Sequence, residues 1–330
     1  MPVPTGDGIR RDVAKIPHEE LHRLKDAFIG LHNKFYPGDR DDIPAGHVSF
    51  WFKQDEIHQA THVHSFPGFR GIAFLPWHRE LVNRFEALLR EVDPEVSLHY
   101  WDWTTDPNPD GGGGAVNLFT SHFMGTANGM AGEPWLGAGF YDPNANPPRG
   151  EFEGDPSGSG NPVDSPKNLI RAVGAGVPTF PNSDDEIIEA ETFPEMRGLL
   201  EDNHNFAHGY IGGTIGNPHT SFRDPFVFLL HSNVDRLFAL WQLQPGKQWR
   251  LDPEQVYGIE SNTDIIPGAP RYDPGILTPL DPWAGNPNNH PAVKRVRPWA
   301  TPENEHLSME NRKNSKHPSV VAPPAYDTNP

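Results

Sequence analysis

The sequence predicts a mainly α-helical chain with long glycine- and proline-rich loops. Several stretches repeat apolar residues at helical spacing. Between them, 37 prolines and 32 glycines among 330 residues exceed what regular elements normally absorb. Histidines recur inside the periodic stretches as well as between them. The length suffices for one large core and by itself permits one or two domains.

Residues 18–35 read as a helix, with Leu21, Leu24, Phe28 and Leu31 near one face. Residues 47–63 form a second candidate, with Phe50, Ile57 and His58 on roughly one side, before the breaker pair Pro67-Gly68. From Trp77 the pattern is clean: His78, Leu81, Val82, Phe85, Leu88 and Leu89 follow the i, i+3, i+4, i+7 rule. Pro76 fixes the start of this helix and Asp93-Pro94 ends it, which puts His78 on the buried face of the first turn. Residues 104–166 read as a long loop, with glycine at 111–114. Residues 194–209 are helical again. Asp224-Pro225 supplies a cap and a proline for the first helical position. The helix that follows carries Phe228, His231, Val234, Asp235, Phe238 and Trp241, and stops near Pro245-Gly246. Residues 251–330 are proline-rich with little periodicity and read as a wrapping extension.

The formal net charge of −17 repels nucleic acid and anionic membranes, so neither is an expected partner. The absence of cysteine excludes disulfides, thiolate–zinc sites and iron–sulfur clusters. The N-terminus has no apolar core of signal-peptide length, and no segment reaches a membrane span. A cytoplasmic location is the expectation.

The chemistry concentrates in histidines. His204 and His208 stand at i and i+4, which on a helix project in nearly the same direction. His231 lies within an apolar helix face and is the natural third ligand. A second set lies upstream: His58, His62, His64 and His78. Of these, His58, His64 and His78 are chosen, with His62 as the substitute for His64. Three neutral imidazoles per ion suit copper or zinc, and fit calcium or magnesium poorly. Carboxylate ligands, which di-iron and two-zinc hydrolytic sites usually need, are not evident. A coupled copper pair is the better match.

The segments that carry these histidines resemble the type-3 copper tyrosinase/polyphenol oxidase family. The resemblance rests on Phe74-Leu75-Pro76-Trp77-His78-Arg79-Glu80-Leu81 with Phe85-Glu86, on Tyr100-Trp101-Asp102-Trp103, on His204-Asn205 with His208, and on Asp224-Pro225 through His231 to Val234-Asp235-Arg236. It spans about residues 20–250. It implies a tyrosinase-like four-helix bundle holding a dicopper centre, with one copper (CuA) on His58, His64 and His78 and the other (CuB) on His204, His208 and His231. Residues 1–250 are then the catalytic domain and 251–330 an extension wrapping it.

By the same resemblance, Glu195 and Asn205 hold a water that takes the phenol proton. Glu195 also reads as a first-turn acid of the kind that commonly follows a helix start. Pro218 and Gly209 are small and leave the mouth open. Asp235, one turn past His231, either orients a ligand or pairs with Arg236. Trp101 and Trp103 read as core packing. His18, His22, His32, His47, His99, His122, His219 and His290 read as solvent or loop residues. The chain departs from the family in two places. The His64–His78 interval is long, with Phe69 where an ungapped alignment sets the second CuA ligand. Leu230 stands before His231, where many relatives have a second histidine. The implied activity is ortho-hydroxylation of monophenols with O2 and oxidation of o-diphenols to o-quinones, with small phenols and O2 as partners. The alternatives are a catechol or o-aminophenol oxidase without monophenolase activity, and an O2 carrier of haemocyanin type.

Overall fold

A computed structural model describes residues 6–34, 49–51, 54–55, 58, 74–109, 116–132, 134–135, 169–218, 220–252, 256 and 323–330. Its centre is a helix that has almost no solvent face. Helix α5, Phe226–Gln242, buries all but one of its residues, as its run of Phe, Leu, Val and Trp requires. Helix α2, Phe74–Arg90, and helix α4, Phe193–Ile211, both pack against it, and α1, His18–His32, packs on α2. The result is a helical bundle.

Each helix has a local reason to begin where it does. In α1, Glu19 and Glu20 sit in the first turn, where the helix dipole favours negative charge. Leu21, Leu24, Ala27, Phe28 and Leu31 form its buried stripe. Pro76 lies in the first turn of α2, where a missing N–H costs nothing. Thr192 caps α4 by accepting the Glu195 N–H at 3.4 Å. Ahead of α5, the Asp224 carboxylate accepts the Phe226 N–H at 3.0 Å. The helix itself starts at Phe226, one residue later than the sequence places it, with Pro225 as the capping residue.

Aromatic rings hold the helices together. Phe85 of α2 stacks on Phe228 of α5 at 3.6 Å between centroids, and Phe28 and Trp51 close around them. Residues 50, 51, 54, 55 and 58 are helical, and the rest of the second candidate helix lies outside the described residues. Buried Arg223 fastens this segment through Asp55 at 2.7 Å, and the Trp51 indole donates to the Arg223 carbonyl. Trp101 and Trp103 are fully buried.

Three small elements were not anticipated. Strands β1, Asn128–Met130, and β2, Ile170–Ala172, pair antiparallel, with Gly129 opposite Arg171. Arg171 is buried and pairs with Asp224 through two bonds of 2.7 Å, tying the strands to the start of α5. Helix α3, Asp184–Glu189, opens on a full capping box between Ser183 and Glu186.

Ionic contacts correct two further expectations. Asp235 does not pair with Arg236: it meets Arg79, Arg10 at 3.2 Å and the Tyr326 hydroxyl at 2.8 Å. The backbone turns Arg236 elsewhere, to Asp184 at 3.0 Å and Asn233 at 2.7 Å. His32 and His99 are buried rather than solvent residues, with His99 Nδ1 accepting the Arg11 N–H at 3.1 Å. His47, His219 and His290 lie outside the described residues. So does most of the expected extension, of which residues 251, 252, 256 and 323–330 are described. Residues 323–330 lie against the N-terminal strand-like segment, where Arg10 N–H donates to Ala325 O and Asp327 N–H to Arg10 O.

Candidate metal centre

Helix α4 delivers His204 and His208 to one side, and α5 brings His231 up against them. Their Nε2 atoms converge: His204–His208 at 3.0 Å, His208–His231 at 3.2 Å and His204–His231 at 3.3 Å. Nitrogens so spaced lie ~1.8 Å from their common centre, close to the ~2.0 Å of a metal–imidazole bond. Among the described residues this is the group of potential ligand atoms that already lies within 4.8 Å.

The other ring nitrogens explain why Nε2 faces the centre. His208 Nδ1 donates to the Ile215 carbonyl at 2.8 Å, and His204 Nδ1 to the Asn205 amide oxygen at 3.1 Å. Such outer bonds fix the tautomer and leave Nε2 as a lone-pair donor. Burial holds His208 down at about 4 and pushes His204 and His231 well below the ordinary histidine range, so all three are neutral at pH 7. Three lone pairs crowded together repel unless a cation lies between them. The donor set therefore fits copper.

His78 and His58 stand beside this triad. His78 stacks on His231 with centroids 4.5 Å apart, and His58 lies 5.8 Å from His78. Both are almost fully buried. His78 Nδ1 donates to the Phe74 carbonyl at 2.8 Å, so its Nε2 is also set for a metal. His64 and its substitute His62 lie outside the described residues.

A cavity of about 340 Å³ opens onto His204 and His208 of the triad, within the usual range for a small-molecule site. His58, Phe74, His204, Asn205 and His208 line it, as do the small residues Gly209, Gly216 and Pro218. Asn205 thus reaches the site. Glu195 does not: it is exposed in the first turn of α4, where its carboxylate accepts the Glu191 N–H at 3.0 Å. Ten residues of helix separate it from Asn205, ~15 Å along the axis. The carboxylate beside the cavity is Glu201, four residues before Asn205.

Sequence reasoning missed three other contributors. Phe74 packs on His78 and His204 at 4.7 and 4.9 Å, and Phe222 stacks on His58 at 4.3 Å. The Ile215 carbonyl that orients His208 is placed by Gly212 and Gly213, both at positive φ. Only Glu201 left a signal, since i−3 from His204 and i−4 from Asn205 is one helix face.

A helical bundle whose core presents converging neutral imidazoles to a small cavity defines a metalloprotein of type-3 copper character. The family model for the common central domain of tyrosinase matches residues 28–244. The chain therefore belongs to the tyrosinase family, whose centre holds two copper ions. A putative tyrosinase-like protein, tyr-3, of Caenorhabditis elegans is 29% identical over 276 residues, 78% of this chain and only 34% of that protein. Grixazone synthase of Streptomyces griseus subsp. griseus is 28% identical over 320 residues, 84% of this chain and 90% of that protein. In structure, a mutant polyphenol oxidase from Thermothelomyces thermophila superposes with a TM-score of 0.53 at 17% identity, covering 80% of each chain. The last likeness bears on the fold.

Proposed function

We propose that the protein is a phenol oxidase, which ortho-hydroxylates monophenols and oxidises o-diphenols to o-quinones with O2. The observation that carries this reading is the cavity that His204 and His208 line together with the small residues Gly209, Gly216 and Pro218 among the described residues. His204, His208 and His231 would hold CuB. His58 and His78 would hold CuA, with His64, or His62 in its place. When bound, the copper pair supplies O2 activation and the two-electron oxidation.

The remaining work belongs to the chain. Phe74 gives the phenol an aromatic edge on which to rest beside His204. Asn205 orients His204 and contributes its amide to the cavity wall. Glu201 takes the role the resemblance assigns to Glu195. Anchored by Arg197 at 2.8 Å, it accepts the phenolic proton, directly or through a water shared with Asn205. The buried aromatic shell excludes bulk water from the imidazoles.

Proton acceptance matters more for a monophenol, which must be hydroxylated, than for a catechol. In the copper-loaded protein, Glu201→Gln should lower tyramine turnover ~100-fold, the low end of general-base effects, and 4-tert-butylcatechol turnover far less. Glu195→Gln should change both little. Equal losses on both substrates would remove Glu201 from this role. Catechol turnover with no tyramine turnover in the unaltered protein would leave a catechol or o-aminophenol oxidase. Reversible O2 binding without any turnover would leave a carrier.

A further inference from the structure

A second histidine cluster lies outside the cavity. His18 and His22 stand at i and i+4 on α1, with ring centroids 4.3 Å apart. The ligand pair His204 and His208, at the same spacing on α4, is 4.4 Å apart. His122 reaches the same place from another part of the chain, 6.3 Å from His18 and 6.2 Å from His22. Its turn is pinned by the buried side chains of Leu118, Phe119, Phe123 and Met124, so the third imidazole is positioned by the fold.

The cluster has an unmet polar demand. His22 Nε2 is shielded from solvent without a hydrogen-bond partner among the described residues, and a buried ring nitrogen normally has one. Burial and the neighbouring His18 hold His22 below the ordinary histidine range, which favours the neutral, ligating form. Lys25 opposes positive charge there and Asp26 favours it. Two histidines one turn apart on a helix are a recurrent half-site for a transition metal.

We propose that His18, His22 and His122 form a third metal site, separate from the copper pair, which takes a borderline divalent ion such as zinc, nickel or copper(II). His18 and His122 are exposed and leave room for water as the remaining ligand. His122 must swing inward, since its distances exceed the 4.4 to 5.4 Å of the converged triad. An exposed side chain can make that change. The bound ion joins α1 to the loop at residues 118–124.

The test is calorimetric titration of the copper-loaded protein with zinc, with copper content measured before and after. One further zinc ion should bind per chain. His22→Ala and His122→Ala should each weaken that binding about tenfold or more, the size of loss seen even for indirect metal partners. Copper content and phenol oxidation should not change. Zinc should also raise the melting temperature of the unaltered protein but not of the His18→Ala/His22→Ala variant, because the ion binds only the folded cluster. No zinc uptake by the copper-loaded protein, or uptake undiminished in the variants, would overturn the assignment.

Discussion

At the scale of single residues, the histidines were the most legible part of the chain. His204, His208 and His231 meet because helical spacing and one apolar helix face determine where they point, and both can be read from sequence. What decides their chemistry was less visible. The Ile215 carbonyl and the ring of Phe222 reach the site through loops whose course no period reports. Glu195 shows the converse error: its position relative to His204 suggested a partner, but a continuous helix carries it a long way from Asn205. Gly209 offers a residue-scale test of the open mouth. A Cβ there meets nothing within 4 Å, so the backbone at 209 has room for a side chain to start, and Gly209→Phe directs a ring from that point. Replacing glycine near the end of a helix should raise stability by up to ~1 kcal/mol or leave it unchanged. Because Gly209 lines the cavity, the same change should raise KM for bulky phenols more than for small ones. A uniform effect across substrate sizes would mean that this side of the cavity is not the mouth.

At the scale of elements, the long helices declared themselves through their period and the small elements did not. Strands β1 and β2 are three residues each, too short to show alternation, and only long-range pairing holds them. Helix α3 left a readable sign in Ser183 and Glu186, a capping box three residues apart. These small elements serve the site. Thr214 exchanges bonds with Ile170, its N–H reaching the Ile170 carbonyl at 2.7 Å and its hydroxyl accepting the Ile170 N–H at 2.9 Å. The segment that carries Ile215 is thereby fixed to β2. Gly213 permits this approach: its φ is +59° and a Cβ would run into the Ile170 carbonyl. Gly213→Ala should therefore push Ile215 away and release His208 Nδ1. Metal analysis should find fewer coppers per chain than in Gly176→Ala, a control with φ +71° and no atom within 4 Å of its added Cβ. The control should lose only the ~1–2 kcal/mol of a left-handed alanine. Equal copper content in the two variants would detach the turn from the metal site.

At the scale of the whole molecule, the two chain ends and the bundle share one buried ionic network. Arg10 is fully buried and donates to Glu86 at 2.8 Å, Asn83 at 2.8 Å, Asp235 at 3.2 Å and the Tyr326 hydroxyl at 2.9 Å. Glu86 also meets Arg90 at 3.1 Å and accepts the Leu98 N–H at 2.8 Å. Removing one member of such a network leaves an uncompensated buried charge, which typically costs ~3–5 kcal/mol. The titration of Glu86 sets the direction of the pH dependence. Burial pushes its carboxyl up, but the Arg10 charge and the hydrogen bonds it receives outweigh that and hold it below its ordinary value of 4.5. The folded state therefore binds this proton less readily than the unfolded chain. Glu86 contributes stability that is fully present above about pH 4.5 and is lost as the pH falls through the lower folded-state value. Glu86→Gln keeps the shape and removes the titration. It should lower the melting temperature at pH 7 while flattening the fall in stability below pH 4.5, so that the curves of the two proteins converge in acid. Melting temperatures measured from pH 7 to pH 3 on both proteins decide the matter, and parallel curves would place the acid sensitivity in other carboxylates.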